Sequence, residues 1–139
     1  MRTGTTTHQR GAWLAAGLAF AAAASYVLIG LGVLSVGDLT KAEAPSGITY
    51  VAAGGYALGG LLILLRRRWL WVVGAVLNAL VVAFFLMAYV GRPAVLTSPG
   101  GLVSKAAEIL LEVALIYLIV TEGRRRQAER PVRLLGAHT

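Results

Sequence analysis

The sequence contains no cysteine among its 139 residues. This absence excludes disulfides, thiolate metal sites, iron–sulfur clusters and a cysteine nucleophile. Histidine is nearly absent. The two that occur, His8 and His138, both lie in polar ends of the chain. They cannot supply paired haem ligands inside a membrane or the histidines of a zinc site. We therefore expect no metal centre and no cofactor.

Charge is also scarce. Charged residues make up 14% of the chain, whereas soluble domains usually carry about 25%. Hydrophobic residues make up 58%, and the mean hydropathy is +0.74. The hydrophobic residues fall into four blocks, and no stretch between them is long enough for a separate soluble domain. This composition is typical of an integral membrane protein, and we expect residues 1–139 to form one membrane domain.

Each apolar block is long enough to cross a bilayer as one helix. At about 1.5 Å of rise per residue, roughly 20 residues cover a hydrocarbon core of about 30 Å. The sequence therefore predicts an all-α membrane protein, a four-helix bundle with a basic tail at residues 122–139. The short connection "RRR" predicts that the second and third spans form a tight antiparallel hairpin. The predicted spans are residues 13–36, 47–65, 69–91 and 101–121.

Basic residues are concentrated on one side of these spans. The opposite connections hold Lys41 and Arg92, with Lys105 near the start of the fourth span. Because loops rich in Lys and Arg stay in the cytoplasm, we expect a multi-pass protein of the plasma membrane, the inner membrane of a bacterium, with both termini cytoplasmic. The net charge of +7 is explained by this distribution of basic residues, so we expect no nucleic-acid partner. The ten residues on the cytoplasmic side are Arg2, Arg10, Arg66, Arg67, Arg68, Arg124, Arg125, Arg126, Arg130 and Arg133.

Three tryptophans lie at the predicted cytoplasmic ends of spans, namely Trp13, Trp69 and Trp71. An indole can keep its ring among the lipid headgroups while its N–H stays in contact with water. We therefore expect all three to act as interfacial anchors.

Small residues recur at four-residue steps within the spans. Gly17, Ala21 and Ser25 do so in the first span, and Gly55 and Gly59 do so in the second. Such spacing forms a groove along one helix face and lets a neighbouring backbone approach closely. The groove can serve packing inside the bundle or contact with a second copy of the chain. We expect a homo-oligomer or a complex with another membrane protein.

The fourth predicted span carries three ionisable residues. Lys105, Glu108 and Glu112 lie within about 60° of one another on a helix, so they share one face. This face should point into the bundle, because an ionisable side chain facing lipid costs several kcal/mol. Two glutamates one turn apart with a single cation nearby should not both be ionised.

Counting residues from the cytoplasmic side predicts which polar groups meet. Glu112, Asn78 and Tyr56 each lie nine positions from that side of their span, at a depth of roughly 14 Å. Glu108 lies at roughly 20 Å, with Lys105 one turn farther out. The sequence therefore predicts two polar layers. The first holds Glu112, Asn78 and Tyr56, and the second holds Glu108, Lys105, Tyr26 and Ser25.

Two main interpretations of these layers remain open, beside a third in which a carboxylate contacts a partner subunit or a lipid headgroup. In one, the groups form a satisfied hydrogen-bond network that fixes helix register, with Glu112 protonated. In the other, Glu112 and Glu108 form a proton or cation site of a small oligomeric transporter or channel. No catalytic residue is expected, because no histidine can reach Ser98 or Ser104 to form an acyl-transfer triad. The favoured function is a non-enzymatic helix bundle that self-associates or serves as the accessory subunit of a membrane complex.

The stretches "GAVLNALVVAFFLMAYVGRP" and "SKAAEILLEVALIYL" resemble small four-span integral membrane proteins of actinobacteria. The similarity covers the second to fourth spans. It includes the position of Asn78, the exit from the third span and an acidic residue early in the fourth. The resemblance implies a four-helix bundle and implies no activity.

Overall fold

The computed structural model describes residues 3–40, 42–43 and 46–135, and these contain helices and turns but no strand. The predicted all-α class is therefore confirmed. Lys41 and the chain ends, including Arg2 and His138, lie outside the described residues. The helices are α1 (Thr3–Gly30), α2 (Ser46–Leu64), α3 (Arg68–Tyr89), α4 (Pro93–Leu96) and α5 (Pro99–Leu135).

The four long helices form an antiparallel ring. α1 packs along both α2 and α5, and α5 packs along α3. The antiparallel direction follows from pairs of neighbours. Gly11 of α1 lies beside Leu118 of α5, whereas Tyr26 of α1 meets Glu108. Asn78 of α3 also meets Glu108, so α5 lies between α1 and α3.

The interface between α1 and α2 is built from small side chains. A Cβ added at Gly60 of α2 would lie 3.2 Å from the ring of Phe20 and 3.4 Å from the carbonyl oxygen of Ala16. Small residues allow this approach, and close packing is the main source of helix association in hydrocarbon. The buried alanines of α1 are Ala12, Ala15, Ala16, Ala19, Ala22 and Ala23.

The connection between α2 and α3 is short, as predicted, and the two helices are antiparallel. They touch little along their length, however, so the pair is not closely packed. α2 ends at Leu64, and the connection that follows contains a left-handed residue, Arg66, whose φ of 54° is a conformation that glycine usually supplies just after a helix. The indole N–H of Trp71 donates to the carbonyl of Ile63 across this junction, at 3.1 Å.

The anchor prediction is wrong for Trp71. This residue is 2% exposed, because its position on α3 turns the ring into the core and its N–H finds a backbone carbonyl there. Trp13 and Trp69 are 59% and 60% exposed and lie on the outer surface. Both keep the orientation that an interfacial anchor needs.

Three helical segments among the described residues are long and apolar enough to cross a membrane, namely Gln9–Gly30, Gly47–Leu64 and Arg68–Tyr89. α5 is not among them, because Lys105, Glu108 and Glu112 interrupt its apolar stretch.

Three helix ends differ from the predicted spans. α1 begins at Thr3 rather than at residue 13. α1 ends at Gly30 rather than near residue 36, and the chain continues as turns with glycines at positive φ, Gly32 and Gly37. α5 continues beyond Thr121 to Leu135, so most of the predicted basic tail is helical.

We call the end of the ring that carries Arg10, Arg66–Arg68 and Arg124–Arg126 the arginine end, and the opposite one the loop end. At the loop end, Arg92 pairs with Asp38 at 3.0 Å and with Glu43 at 2.9 Å. The backbone N–H of Thr40, together with Arg92, lowers the pKa of Glu43 to about 2. The two carboxylates raise the pKa of Arg92.

The loop between α1 and α2 also packs against α4 and α5. The backbone N–H of Gly100 donates to the carbonyl of Ser35 at 2.9 Å. Gly37, with a φ of 62°, sits so close to the carbonyl of Ala94 that no side chain would fit. The loop end is therefore held by backbone contacts as well as by ion pairs.

Candidate functional site

α5 carries three of the predicted polar side chains, Lys105, Glu108 and Glu112. Its first turn is capped by Ser98, whose hydroxyl oxygen accepts the N–H of Gly101 at 3.1 Å, and Pro99 occupies the first helical position. From this start the helix turns Lys105 and Glu108 inward. The side chain of Glu108 is fully buried, and that of Lys105 is nearly so.

The carboxylate of Glu108 is paired on both oxygens. Its Oε1 accepts the hydroxyl of Tyr26 at 2.5 Å, and its Oε2 accepts the ammonium of Lys105. The ammonium also donates to the Tyr26 oxygen at 3.2 Å and lies 4.3 Å from the ring centroid of Phe85. The negative charge is therefore balanced by a cation that is itself held between two aromatic residues.

Asn78 joins this pair to a second layer. Its amide nitrogen donates to Glu112 Oε2 at 2.8 Å and to the backbone carbonyl of Glu108 at 2.9 Å. Its amide oxygen accepts the hydroxyl of Tyr56 at 2.9 Å. One side chain thus connects α2, α3 and α5.

The two tyrosines link the layers a second time. The rings of Tyr26 and Tyr56 stack with centroids 5.7 Å apart and planes tilted by 11°. We call the connected set the polar network, and each long helix contributes to it. Its members are Tyr26, Tyr56, Asn78, Phe85, Lys105, Glu108 and Glu112.

The structure brings together all but one of the predicted polar residues. Ser25 is buried, but its hydroxyl donates to the carbonyl of Ala22 on its own helix at 2.7 Å. Serine in a helix often bonds back in this way. Conversely, the prediction omitted Phe85. It lies seven residues after Asn78, on the same face of α3, and this spacing could have identified it.

The predicted small-residue groove does not serve packing within the chain. Gly17, Ala21 and Gly55 are exposed, and Gly59 is half-buried. A Cβ added at any of the three glycines would meet nothing within 4 Å. Contact with a second protein therefore stays a prediction for these positions, while the close packing inside the ring uses the alanines of α1 and Gly60.

An apolar core separates the polar network from the arginine end. It fills the ring with side chains from all four long helices, and its largest members, Trp71, Leu115 and Leu118, are almost completely buried. The core consists of Ala15, Ala16, Ala19, Ile63, Trp71, Ala75, Leu111, Leu115 and Leu118.

The polar side chains of the network form hydrogen bonds with one another, so we call the network closed. In the described ranges, every buried side-chain nitrogen or oxygen has a hydrogen-bond partner. Those ranges also contain no group of three or more His, Asp or Glu side chains able to hold a metal ion. The arrangement can hold four helices in register, and Glu112 is half-buried rather than fully enclosed.

Comparisons with family models, with curated proteins and with solved structures found no match to this chain. The resemblance to four-span proteins of actinobacteria therefore stays a prediction that rests on the sequence alone.

Proposed function

We propose that the chain is a four-span integral membrane protein, with α5 as the fourth span. The inward direction of Lys105 and Glu108 supports this, because it leaves the outer face of α5 apolar. A helix with its charges inside the bundle can cross hydrocarbon at little cost. The exposed residues of that face are Leu102, Val103, Ile109, Leu110, Val113, Ile116, Tyr117 and Val120.

We further propose that the arginine end faces the cytoplasm, so that both termini lie inside. The arginines of three segments lie at this end of the ring, where the guanidinium of Arg68 approaches the position that a Cβ on Gly123 would occupy. At the loop end, Arg92 is bound by two carboxylates. The difference in charge between the two ends supports the orientation.

The orientation can be tested by thiol labelling, since the chain has no native cysteine. Ala42→Cys and Gly91→Cys, both exposed at the loop end, should react with a membrane-impermeant maleimide in intact cells. Arg67→Cys and Gln127→Cys should react only after permeabilisation. Labelling of Arg67→Cys and Gln127→Cys from outside, with Ala42→Cys and Gly91→Cys protected, would show the reverse orientation. Labelling of Gln127→Cys from the same side as Gly91→Cys would contradict a fourth span in α5.

In this membrane, we propose, the protein acts as a non-enzymatic bundle that binds a second copy of itself or another membrane protein. The closed polar network is the observation that carries the proposal. Its buried polar atoms are all paired with one another, which suits a structural lock better than a reaction centre. The exposed Gly17, Ala21 and Gly55 supply a surface on which another helix can pack closely.

Self-association should depend on Gly55. Gly55→Leu fills the groove on α2 without touching any residue of its own chain, because nothing lies within 4 Å of a Cβ there. We expect energy transfer between labelled copies in liposomes to fall several-fold, since close backbone contact is lost.

Gly47→Leu is the matched control, because Gly47 is equally open but lies in the first turn of α2, outside the groove. Energy transfer should be unchanged in this variant. Equal energy transfer in the parent and in Gly55→Leu would mean that Gly55 does not lie in the interface. The absence of energy transfer in the parent at any protein density would contradict self-association.

A second candidate function is a proton or cation site at Glu112. Glu112 is favoured because it accepts a hydrogen bond from a neutral amide, that of Asn78, while the ammonium of Lys105 is bound to Glu108. The apolar core lies between the network and the arginine end. A transporter of this design would therefore reach Glu112 from the loop end and would need a rearrangement, or a second copy, to complete a path.

Substitutions of Glu112 separate the two functions. As a transport site, Glu112→Gln should abolish pH-dependent flux in proteoliposomes while the protein stays folded. As part of a lock, Glu112→Gln should be nearly silent in thermal unfolding, whereas Glu112→Leu should destabilise by about 1–3 kcal/mol, because it leaves an amide donor of Asn78 unpaired. The absence of flux in the parent protein would remove the transport function.

A further inference from the structure

The arginine end gathers cationic side chains from separate parts of the chain. Arg66 and Arg67 lie in the connection between α2 and α3, and Arg68 begins α3. The guanidinium of Arg68 approaches Gly123 of α5, where an added Cβ would lie 3.2 Å from its Nη2 atom. The next residue, Arg124, is exposed like the other three. Two runs of arginine are therefore adjacent in space although more than fifty residues separate them in sequence.

Acidic residues at this end are too few to neutralise these charges. Between residues 9 and 128, the arginine end holds seven arginines and one acidic residue, Glu122. Glu122 pairs with Arg126 at 3.0 Å, one turn farther along α5. A single carboxylate can balance only one of these guanidinium groups, so the end keeps a large positive charge.

Apolar side chains lie directly beside the arginines on the outer surface. Trp69 follows Arg68 and is exposed, as is Leu65 on the other side of the connection. On α1, a shallow groove is lined by Gln9, Arg10, Trp13 and Leu14, with the polar pair nearer the end of the ring. This order, cations first and then indole and aliphatic side chains, matches the order of phosphate, glycerol and acyl chain in a phospholipid.

We propose that the arginine end contains a binding site for the headgroups of anionic phospholipids, formed by Arg67 and Arg68 together with Arg124. The headgroup phosphate lies between the two arginine runs, and the acyl chains follow Trp69 and Leu65. Basic clusters at membrane level bind anionic lipids in this way. The exposed indole and leucine favour a lipid over a nucleic acid, since a soluble polyanion leaves them without an apolar partner. The site rests on membrane insertion, which is part of the proposed function, and does not depend on orientation.

Lipid retention by the full-length chain tests the site. The protein is inserted into nanodiscs of phosphatidylcholine and phosphatidylglycerol, and the phosphatidylglycerol molecules that stay bound are counted by native mass spectrometry. Arg67→Gln should reduce retention about five-fold, the effect of one arginine near an anionic headgroup. Arg126→Gln removes the same charge from the same end, but its guanidinium is already paired with Glu122. Retention should therefore change little in this control.

The outcomes are distinct. Equal losses in Arg67→Gln and Arg126→Gln would mean that only the overall charge matters and would overturn the site. Displacement of the lipid by inorganic phosphate would show an anion site that does not select lipid, which also overturns the proposal. Failure of the parent chain to insert into nanodiscs would contradict the proposed function itself. Circular dichroism verifies that each variant keeps its helices.

Discussion

The buried carboxylate of Glu108 is the constraint on which the other contacts depend. Moving a carboxylate out of water costs several kcal/mol even after the protein relaxes, so a fully buried one persists only when it is paired and hydrogen-bonded. Lys105 provides the pairing from the same helix, and Tyr26 provides a hydrogen bond from α1. The need to satisfy one acidic group thus fixes which face of α1 meets α5. It also leaves the outer surface of α5 apolar.

The same network compensates for the loosest part of the ring. α1 and α2 approach closely through alanine and glycine, whereas α2 and α3 touch little beyond their short connection. The bond from Tyr56 to Asn78 and the bond from Trp71 to Ile63 cross that gap. Hydrogen bonds between helices have no competing water in hydrocarbon, so they can join helices whose backbones do not pack. Small-residue packing and polar pairing therefore stabilise different sides of one bundle.

Helical periodicity predicted the shared face of Lys105, Glu108 and Glu112, and depth counting identified Asn78 and Tyr56, because both depend only on the rise and twist of a helix. The sequence could not predict which of several available groups a side chain would bond or pack against. Ser25 has the right depth but bonds its own helix. Trp71 lies near a predicted boundary but turns inward. Gly17 and Gly55 suit a close helix contact equally well within the chain or with a second protein. Hydropathy alone does not predict that α1 ends at Gly30, because the apolar residues continue beyond it.

The central claim is that Glu108 and its partners lock the ring, and a double-mutant cycle between Tyr26 and Glu108 tests it most directly. The free energy of unfolding is measured in detergent for the parent, for Tyr26→Phe, for Glu108→Gln and for the double variant. If the hydrogen bond holds α1 against α5, the two substitutions are non-additive by about 0.6 kcal/mol, the average for hydrogen bonds between membrane helices, and by at most about 1.7 kcal/mol. Strict additivity would contradict the lock and would mean that the two side chains stabilise the ring independently.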